Sequence, residues 1–430
     1  MSWTEEISPQ RCAGATFGGI ARGLLALAVA IAFARLMDVE AFGEFSAAQS
    51  MLAIATLPAT MGMSKIAIRS YRSAKNSYDE SHARGFRISG PLIILIASLI
   101  TYVLLVGFHA TMHAQTAINL VSFAAVLALL PLNALSAFLV ASNAAHGAAV
   151  LASNISGWVN GLLLLGILAL ANVTFGRPLS ILQAAGILAG ATTITLLANT
   201  VLLRRIEPVR FRSGDRTYKV YDWVRTGASF ASASLSLLIL DRSGLIILGW
   251  VTANAQDAAH LSAAIRISSI LLLIGLGLRP VFLPVLAEAA KKQDTETLRA
   301  VLRFWIVRSL AILLPISALA IWQGRLLLIG YGPRFEAAYP TLVIMVVSQV
   351  VAVSTMLFIP LCQFLDAGRA ASLATSTSAL LGVAAMTGFA FLWGDTGVAL
   401  GMGLGLTLAG GSGLLITRKR IRQFDGEAAT

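Results

Sequence analysis

The residues of this chain that could do chemistry are charges placed where charges are costly. The stretch "LLILDRSGLIILG", Leu237 to Gly249, sets Asp241 beside Arg242 in the middle of an apolar run. Arg22, Lys65, Arg266, Arg279 and Arg308 interrupt other apolar runs. A charge at the centre of a membrane helix costs roughly 2.5–3.5 kcal/mol on insertion scales, so it is kept only for a partner or a wet cavity. Basic groups outnumber the single deep acid, Asp241, which favours a net-positive, water-filled cavity over a sealed network of ion pairs. Such a cavity suits an anion, and the planar guanidinium fork suits phosphate.

Depth sorts these charges. Arg22 lies about 15 Å past Cys12 along a helix axis, near mid-membrane, with Gly18, Gly19 and Gly23 around it. Those glycines let another helix approach closely or leave an open wall beside the guanidinium. Arg242 and Arg266 are read as further lining. Neighbouring helix residues point roughly 100° apart, so Asp241 is expected to pair with another helix or bind a cation rather than face Arg242's neighbours. The alternative for the pair is that both charges lock to other helices and fix register. Lys65, Arg279 and Arg308 lie close enough to helix ends to snorkel. Lys65 also shares a face with Arg69, and the two could line an inner mouth. "SNISGWVN", Ser153 to Asn160, puts Asn154, Gly157 and Trp158 on one helix face, suited to a sugar or to ordinary helix packing. "TSTS", Thr375 to Ser378, offers hydroxyls for a Na⁺ beside Asp241 or for helix packing.

Enzyme signatures are absent. His109 and His113 have the spacing of a zinc-ligand pair, but the glutamate of that motif and a third ligand are missing. There is no phosphate-binding glycine loop and no nucleophile elbow. The chain is therefore expected to hold no catalytic residues, no metal and no cofactor beyond a coupling Na⁺ or H⁺.

The elements that position these charges are membrane helices. Of 430 residues, 57% are hydrophobic and 12% charged, and mean hydropathy is +0.80; a soluble domain carries about a quarter charged residues. A bilayer core of about 30 Å takes roughly 20 apolar residues per helix. The runs predict an all-α polytopic membrane protein of twelve spans: Cys12–Leu36, Gly43–Ile68, Ile88–Phe108, Thr116–Val140, Ala148–Phe175, Leu179–Leu203, Gly227–Trp250, Ala258–Leu286, Phe304–Trp322, Tyr339–Gln363, Ala370–Leu392 and Thr396–Thr417. Strict alternation, the mark of a membrane β-barrel, is absent. Basic residues concentrate in loops 69–87, 204–226 and 287–303 and in the tail, against Arg35, Arg177, Arg325 and Arg334 opposite. That asymmetry puts both termini in the cytoplasm, and it explains a pI near 10.3 without a nucleic-acid partner.

The longest polar segment divides the chain into an N-terminal six-helix lobe (1–203), a cytoplasmic loop (204–226), a C-terminal six-helix lobe (227–418) and a tail (419–430). "EFSAAQSM", Glu44 to Met51, is echoed half a chain later by "HLSAAIRI", His260 to Ile267. Six spans per half imply a pseudo-twofold axis along the membrane normal, with a ligand between the halves.

"FARLMDVEAFGEFSAAQSMLAIATLPATMGMSKIAIR", Phe33 to Arg69, resembles the opening of bacterial polysaccharide exporters of the O-antigen flippase type. "LDRSGLIILGWVTANAQDAAHLSAAIRI", Leu240 to Ile267, resembles that family's seventh and eighth helices, with His260 and Leu261 in place of the usual aromatic. "LLIGYGPRFEAAYPTLVIM", Leu327 to Met345, is similar to its segment before the tenth helix. The superfamily also holds multidrug extruders and lipid II flippases, which stand as alternatives.

The resemblance implies a bacterial inner-membrane flippase working by alternating access. Its passenger would be an undecaprenyl-pyrophosphate-linked oligosaccharide for O-antigen, capsule or exopolysaccharide. Its partners would be the bilayer, a polysaccharide polymerase and chain-length machinery. Arg22, Lys65, Arg242 and Arg266 would contact pyrophosphate or acidic sugar, and Asp241 would couple to Na⁺ or H⁺. The eleventh and twelfth spans lack the further deep acids that the family's cation site recruits.

Overall fold

The computed structural model describes residues 9–77, 80–112, 118–174, 178–208, 211, 214–250, 252 and 254–429, with backbone only at 9–20, 72–77, 112, 228–234, 280 and 426–429. The side chains of Cys12, Arg72, Lys75, His113, Arg177, Arg210 and Arg212, and the surroundings of Gly18 and Gly19, lie outside the described residues.

The helices in chain order are α1 (Pro9–Leu36), α2 (Val39–Thr60), α3 (Met63–Ser77), α4 (Ser81–Met112), α5 (Leu120–Leu127), α6 (Leu130–Ala145) and α7 (Ala149–Asn154). A π turn (Ile155–Val159) leads into α8 (Asn160–Thr174), then α9 (Ile181–Ile206), α10 (Val220–Trp250), α11 (Ala255–Lys291) and α12 (Thr295–Trp322). α13 (Gly324–Tyr331), a 3₁₀ turn (Pro333–Ala338), α14 (Tyr339–Thr355), α15 (Phe358–Phe364) and α16 (Gly368–Ala429) complete the chain. Eight helices among the described residues are long and apolar enough to cross a bilayer, or nine when α2 and the start of α3 count as one bent span. α1 and α10 add two more, and α16 passes twice because it breaks at Trp393 and Gly394. This is the expected all-α architecture of twelve passes.

Local chemistry sets the ends and breaks. Ser180 and Gln183 form a reciprocal capping box at the start of α9, the Gln183 N–H donating to Ser180 Oγ at 3.3 Å. Asp294 caps α12, accepting from the Thr297 N–H at 2.9 Å. Two expected spans are interrupted just before a proline: the fourth ahead of Pro131, the tenth ahead of Pro360. Each proline falls in the first turn of the helix that follows, where its missing N–H leaves no helical hydrogen bond unmade. The second span was expected to run unbroken to Ile68. It bends by 44° at Met61 and Gly62, both left-handed. Only glycine suits the second position: a Cβ on Gly62 would lie 2.3 Å from the Gly227 carbonyl oxygen of α10.

Two compact units emerge. The N-terminal unit holds Ala32–Leu238 and Gly249–Ala255; the C-terminal unit holds the chain up to Ile31, Ile239–Leu248 and everything from Gln256 onward. The division therefore does not follow the 204–226 loop, and α1 belongs mostly with the later helices.

The two units repeat one packing device. Ser46, Ala47 and Ala48 of α2 are 1–2% exposed, and Ser262, Ala263 and Ala264 of α11 are 0–1% exposed. Each triplet begins at the eighth residue of its helix. Just before each, a polar side chain ties the helix to the segment entering a later span. Glu44 accepts from the Asn119 N–H at 3.3 Å, and His260 donates to the Arg334 carbonyl at 3.1 Å. The half-chain echo in the sequence thus marks equivalent positions.

Candidate functional site

The acid–base pair is positioned by a glycine seam. The two passes of α16 meet at Gly382 and Gly405, where a Cβ on Gly382 would lie 3.0 Å from the Gly405 Cα. Leu240 of α10, fully buried, fills that seam. Ser243 and Gly244, the next positions on the same face, meet Met386 and Val398. Because Leu240, Ser243 and Gly244 face α16, helix geometry turns Asp241 and Arg242 the other way. Their side chains are 37% and 43% exposed.

Asp241 and Arg242 pair with each other. Arg242 Nε lies 3.0 Å from Asp241 Oδ2. This corrects the expectation that Asp241 pairs with another helix. The angular gap holds at the Cβ atoms, but the long arginine side chain curls back across it. Arg266 of α11 is half-buried within electrostatic reach of Arg242, which repels it, and of Tyr331 on α13. Arg22 is exposed on α1 and has no acidic partner among the described residues. Its neighbour Gly23 marks a close crossing with α11, where a Cβ would lie 2.2 Å from Leu273 Cδ1. The C-terminal unit therefore carries Arg22, Asp241, Arg242 and Arg266 together, a surplus of positive charge.

The N-terminal unit holds the remaining candidates. α3 is amphipathic: Met63, Ile66, Ala67 and Tyr71 are buried, while Lys65 and Arg69 are exposed together. The bend at Met61 and Gly62 aims this face, a feature that the unbroken apolar run concealed. Asn154 and Trp158 are half-buried, and the π turn lies across their interval. It replaces the α-helical register from which a shared face with Gly157 was expected.

Beside that turn lies an amide network that residue spacing did not reveal. Asn143 of α6 donates to Asn199 Oδ1 of α9 at 3.2 Å, and Asn199 donates to the Ser156 hydroxyl at 3.1 Å. Both asparagines are fully buried. The available signal was an amide in a largely apolar stretch of each helix, Asn143 and Asn199, which needs a partner when buried.

Other sequence candidates have local uses. Thr375 and Ser378 are buried and donate to the carbonyls of Ala371 and Ala374 in their own helix. His109 lies 3.0 Å from the Ile118 carbonyl and packs on the rings of Phe123 and Trp250. Arg279 is half-buried, and Arg308 is exposed with its guanidinium 5.0 Å from the Phe304 ring centroid.

The fold is similar to that of solved multidrug resistance MATE family transporters of the MOP superfamily. Similar solved structures include the inward-facing conformation of a multidrug resistance MATE family transporter of that superfamily. It is 16% identical, with 94% of this chain and 96% of that chain covered and a TM-score of 0.75. An outward-facing conformation of such a transporter matches at 17% identity over 98% and 96% of the chains, with a TM-score of 0.60. A variant of the Vibrio cholerae MATE transporter VcmN matches at 16% identity over 98% and 99%, with a TM-score of 0.63. No curated protein sequence matches the chain. A profile of the polysaccharide biosynthesis protein family matches residues 14–290, and the chain belongs to that family.

Proposed function

We propose that this transporter is a flippase for undecaprenyl-pyrophosphate-linked oligosaccharide, working by alternating access in a bacterial inner membrane with both termini cytoplasmic. It serves the export of a surface polysaccharide such as O-antigen, capsule or exopolysaccharide. Membership of the polysaccharide biosynthesis family supports the sugar. The single observation that carries the charge of the passenger is Arg22: exposed, in a membrane helix, with no acidic partner among the described residues.

The pyrophosphate binds Arg22 and Arg266 and competes with Asp241 for Arg242. An exposed ion pair is worth only about 0.2–1 kcal/mol in water, so a doubly charged anion displaces the carboxylate. The displaced Asp241 then takes up a proton or Na⁺, which ties passenger binding to the ion gradient. Lys65 and Arg69 draw the head group in at the cytoplasmic side, and Asn154 and Trp158 meet the sugar. A cation extruder would need acids in excess of bases, the reverse of the balance around Asp241.

Reconstituted protein should move a fluorescent undecaprenyl-pyrophosphate oligosaccharide between leaflets, read by a membrane-impermeant quencher. Transport of a lipophilic cation in the same vesicles, with no movement of the lipid-linked sugar, would refute the reading.

A further inference from the structure

The C-terminal unit carries a second basic cluster, on helices other than those of Arg22, Arg242 and Arg266. α12 presents Arg299 and Arg303 one turn apart, and the end of α16 presents Arg418 and Arg422 one turn apart. These four arginines share a cavity of about 580 Å³. Its inner wall is apolar and includes Leu302, Phe358 and Leu414. The spacing explains this: along α12 the series Arg299, Leu302, Arg303, Ile306 follows one helix face, as does Leu414, Arg418, Ile421, Arg422 along α16.

Three of the four arginines have no acidic partner among the described residues. Arg299 pairs with Asp425 of the tail. Arg303, Arg418 and Arg422 have no acidic partner among the described residues and are exposed. Among the described residues no Asp or Glu lines the cavity. A free phosphate ion would satisfy the guanidiniums but leave the apolar wall wet. An acyl chain alone would cover the wall but leave the cations without counter-ions. A ligand that answers both is an anionic lipid, and three unbalanced arginines match more than one phosphate.

We infer that this cavity is a binding site for an anionic phospholipid carrying two phosphates, held by Arg303, Arg418 and Arg422 with its acyl chains against Leu302, Phe358 and Leu414. Its lining, on α12, α15 and the end of α16, includes none of Arg22, Asp241, Arg242 and Arg266. The inference does not depend on the passenger being a lipid-linked sugar.

The test uses delipidated full-length protein in a neutral detergent and native mass spectrometry. The probes are cardiolipin, phosphatidylethanolamine, undecaprenyl pyrophosphate and inorganic pyrophosphate. Cardiolipin should bind with preference over phosphatidylethanolamine and over pyrophosphate alone, and its binding should weaken with added salt. The triple variant Arg303→Gln, Arg418→Gln, Arg422→Gln should bind cardiolipin on the order of a hundredfold more weakly, whereas Arg22→Ala should bind it as the parent does. The salt dependence of the parent keeps the test decisive should the triple variant misfold. Three results overturn the inference: cardiolipin binding that ignores salt, a folded triple variant that retains it, or undecaprenyl pyrophosphate binding to these arginines in preference to cardiolipin. The last would make the cavity a loading site for the passenger.

Discussion

Arg242 Nε sits 3.0 Å from Asp241 Oδ2, an ion pair between adjacent residues of one helix, both facing away from the α16 seam that Leu240 fills. The pair is neutral as a unit, yet both members remain partly exposed. An arriving anion therefore meets a guanidinium whose partner it can replace. Arg266 adds a second positive charge within electrostatic reach of Arg242, which favours an arriving anion.

Asp241→Asn should separate the two halves of this exchange. Without the competing carboxylate, Arg242 should hold a pyrophosphate-bearing ligand more tightly. Transport should lose its dependence on the ion gradient, because no group remains to take up the ion. Vesicle transport with and without imposed Na⁺ and H⁺ gradients checks this. Retained gradient dependence in the variant would remove Asp241 from coupling.

The seam itself predicts a stability effect. A Cβ on Gly405 would lie 2.5 Å from Leu240 Cδ1 and 3.1 Å from the Gly382 Cα. Gly405→Ala should cost about 1–3 kcal/mol through overpacking. Shortening Leu240 in the same chain should recover part of that loss, since the residues touch. Thermal unfolding of the single and double variants in detergent measures the coupling; strictly additive losses would contradict the contact.

At the second-span bend, Gly62→Ala meets backbone rather than a movable side chain. Its φ of +67° already disfavours a Cβ, and the Gly227 carbonyl oxygen would lie 2.3 Å away. The left-handed conformation alone costs roughly 1–2 kcal/mol. The variant should insert but lose stability and transport, because α3 and its Lys65–Arg69 face hang on this turn. Parental melting and transport in Gly62→Ala would show that the turn does not set that face.

The start of α12 gives a pH prediction. Hydrogen bonds from the side chain and backbone N–H of Thr297 hold the Asp294 carboxyl below the usual aspartate range. A depressed carboxylate stabilises the fold above its unfolded pKa, about 3.9, and the contribution is lost as pH falls through the folded value. Asp294→Ala should cost about 1 kcal/mol at neutral pH, the worth of an N-cap. The gap to the parent should close in acid. A gap independent of pH would assign the loss to something other than the ionised cap.

Twelve passes were legible because each is a long apolar run, and the half-chain echo was legible because a Ser-Ala-Ala triplet is buried at the same helix position in both units. The deep charges were legible for the same reason, standing out against apolar surroundings. How they pair was not. The Asp241–Arg242 contact depends on a flexible side chain folding back, which helix geometry at Cβ does not encode. The bend at Met61 and Gly62 needed the Gly227 contact, a residue far along the chain. Asn143 and Asn199 carry no spacing rule either; their link follows from α6 meeting α9. The basic cavity between α12 and α16 joins two ends that read separately as ordinary loop and tail charge.

The most direct test concerns Arg22. In a strain lacking its polysaccharide flippase and carrying this chain, Arg22→Ala should abolish surface polysaccharide while the protein inserts at the parental level. Arg22→Lys should restore part of it, since the charge returns without the planar fork. Surface polysaccharide from Arg22→Ala equal to the parent's would contradict the account.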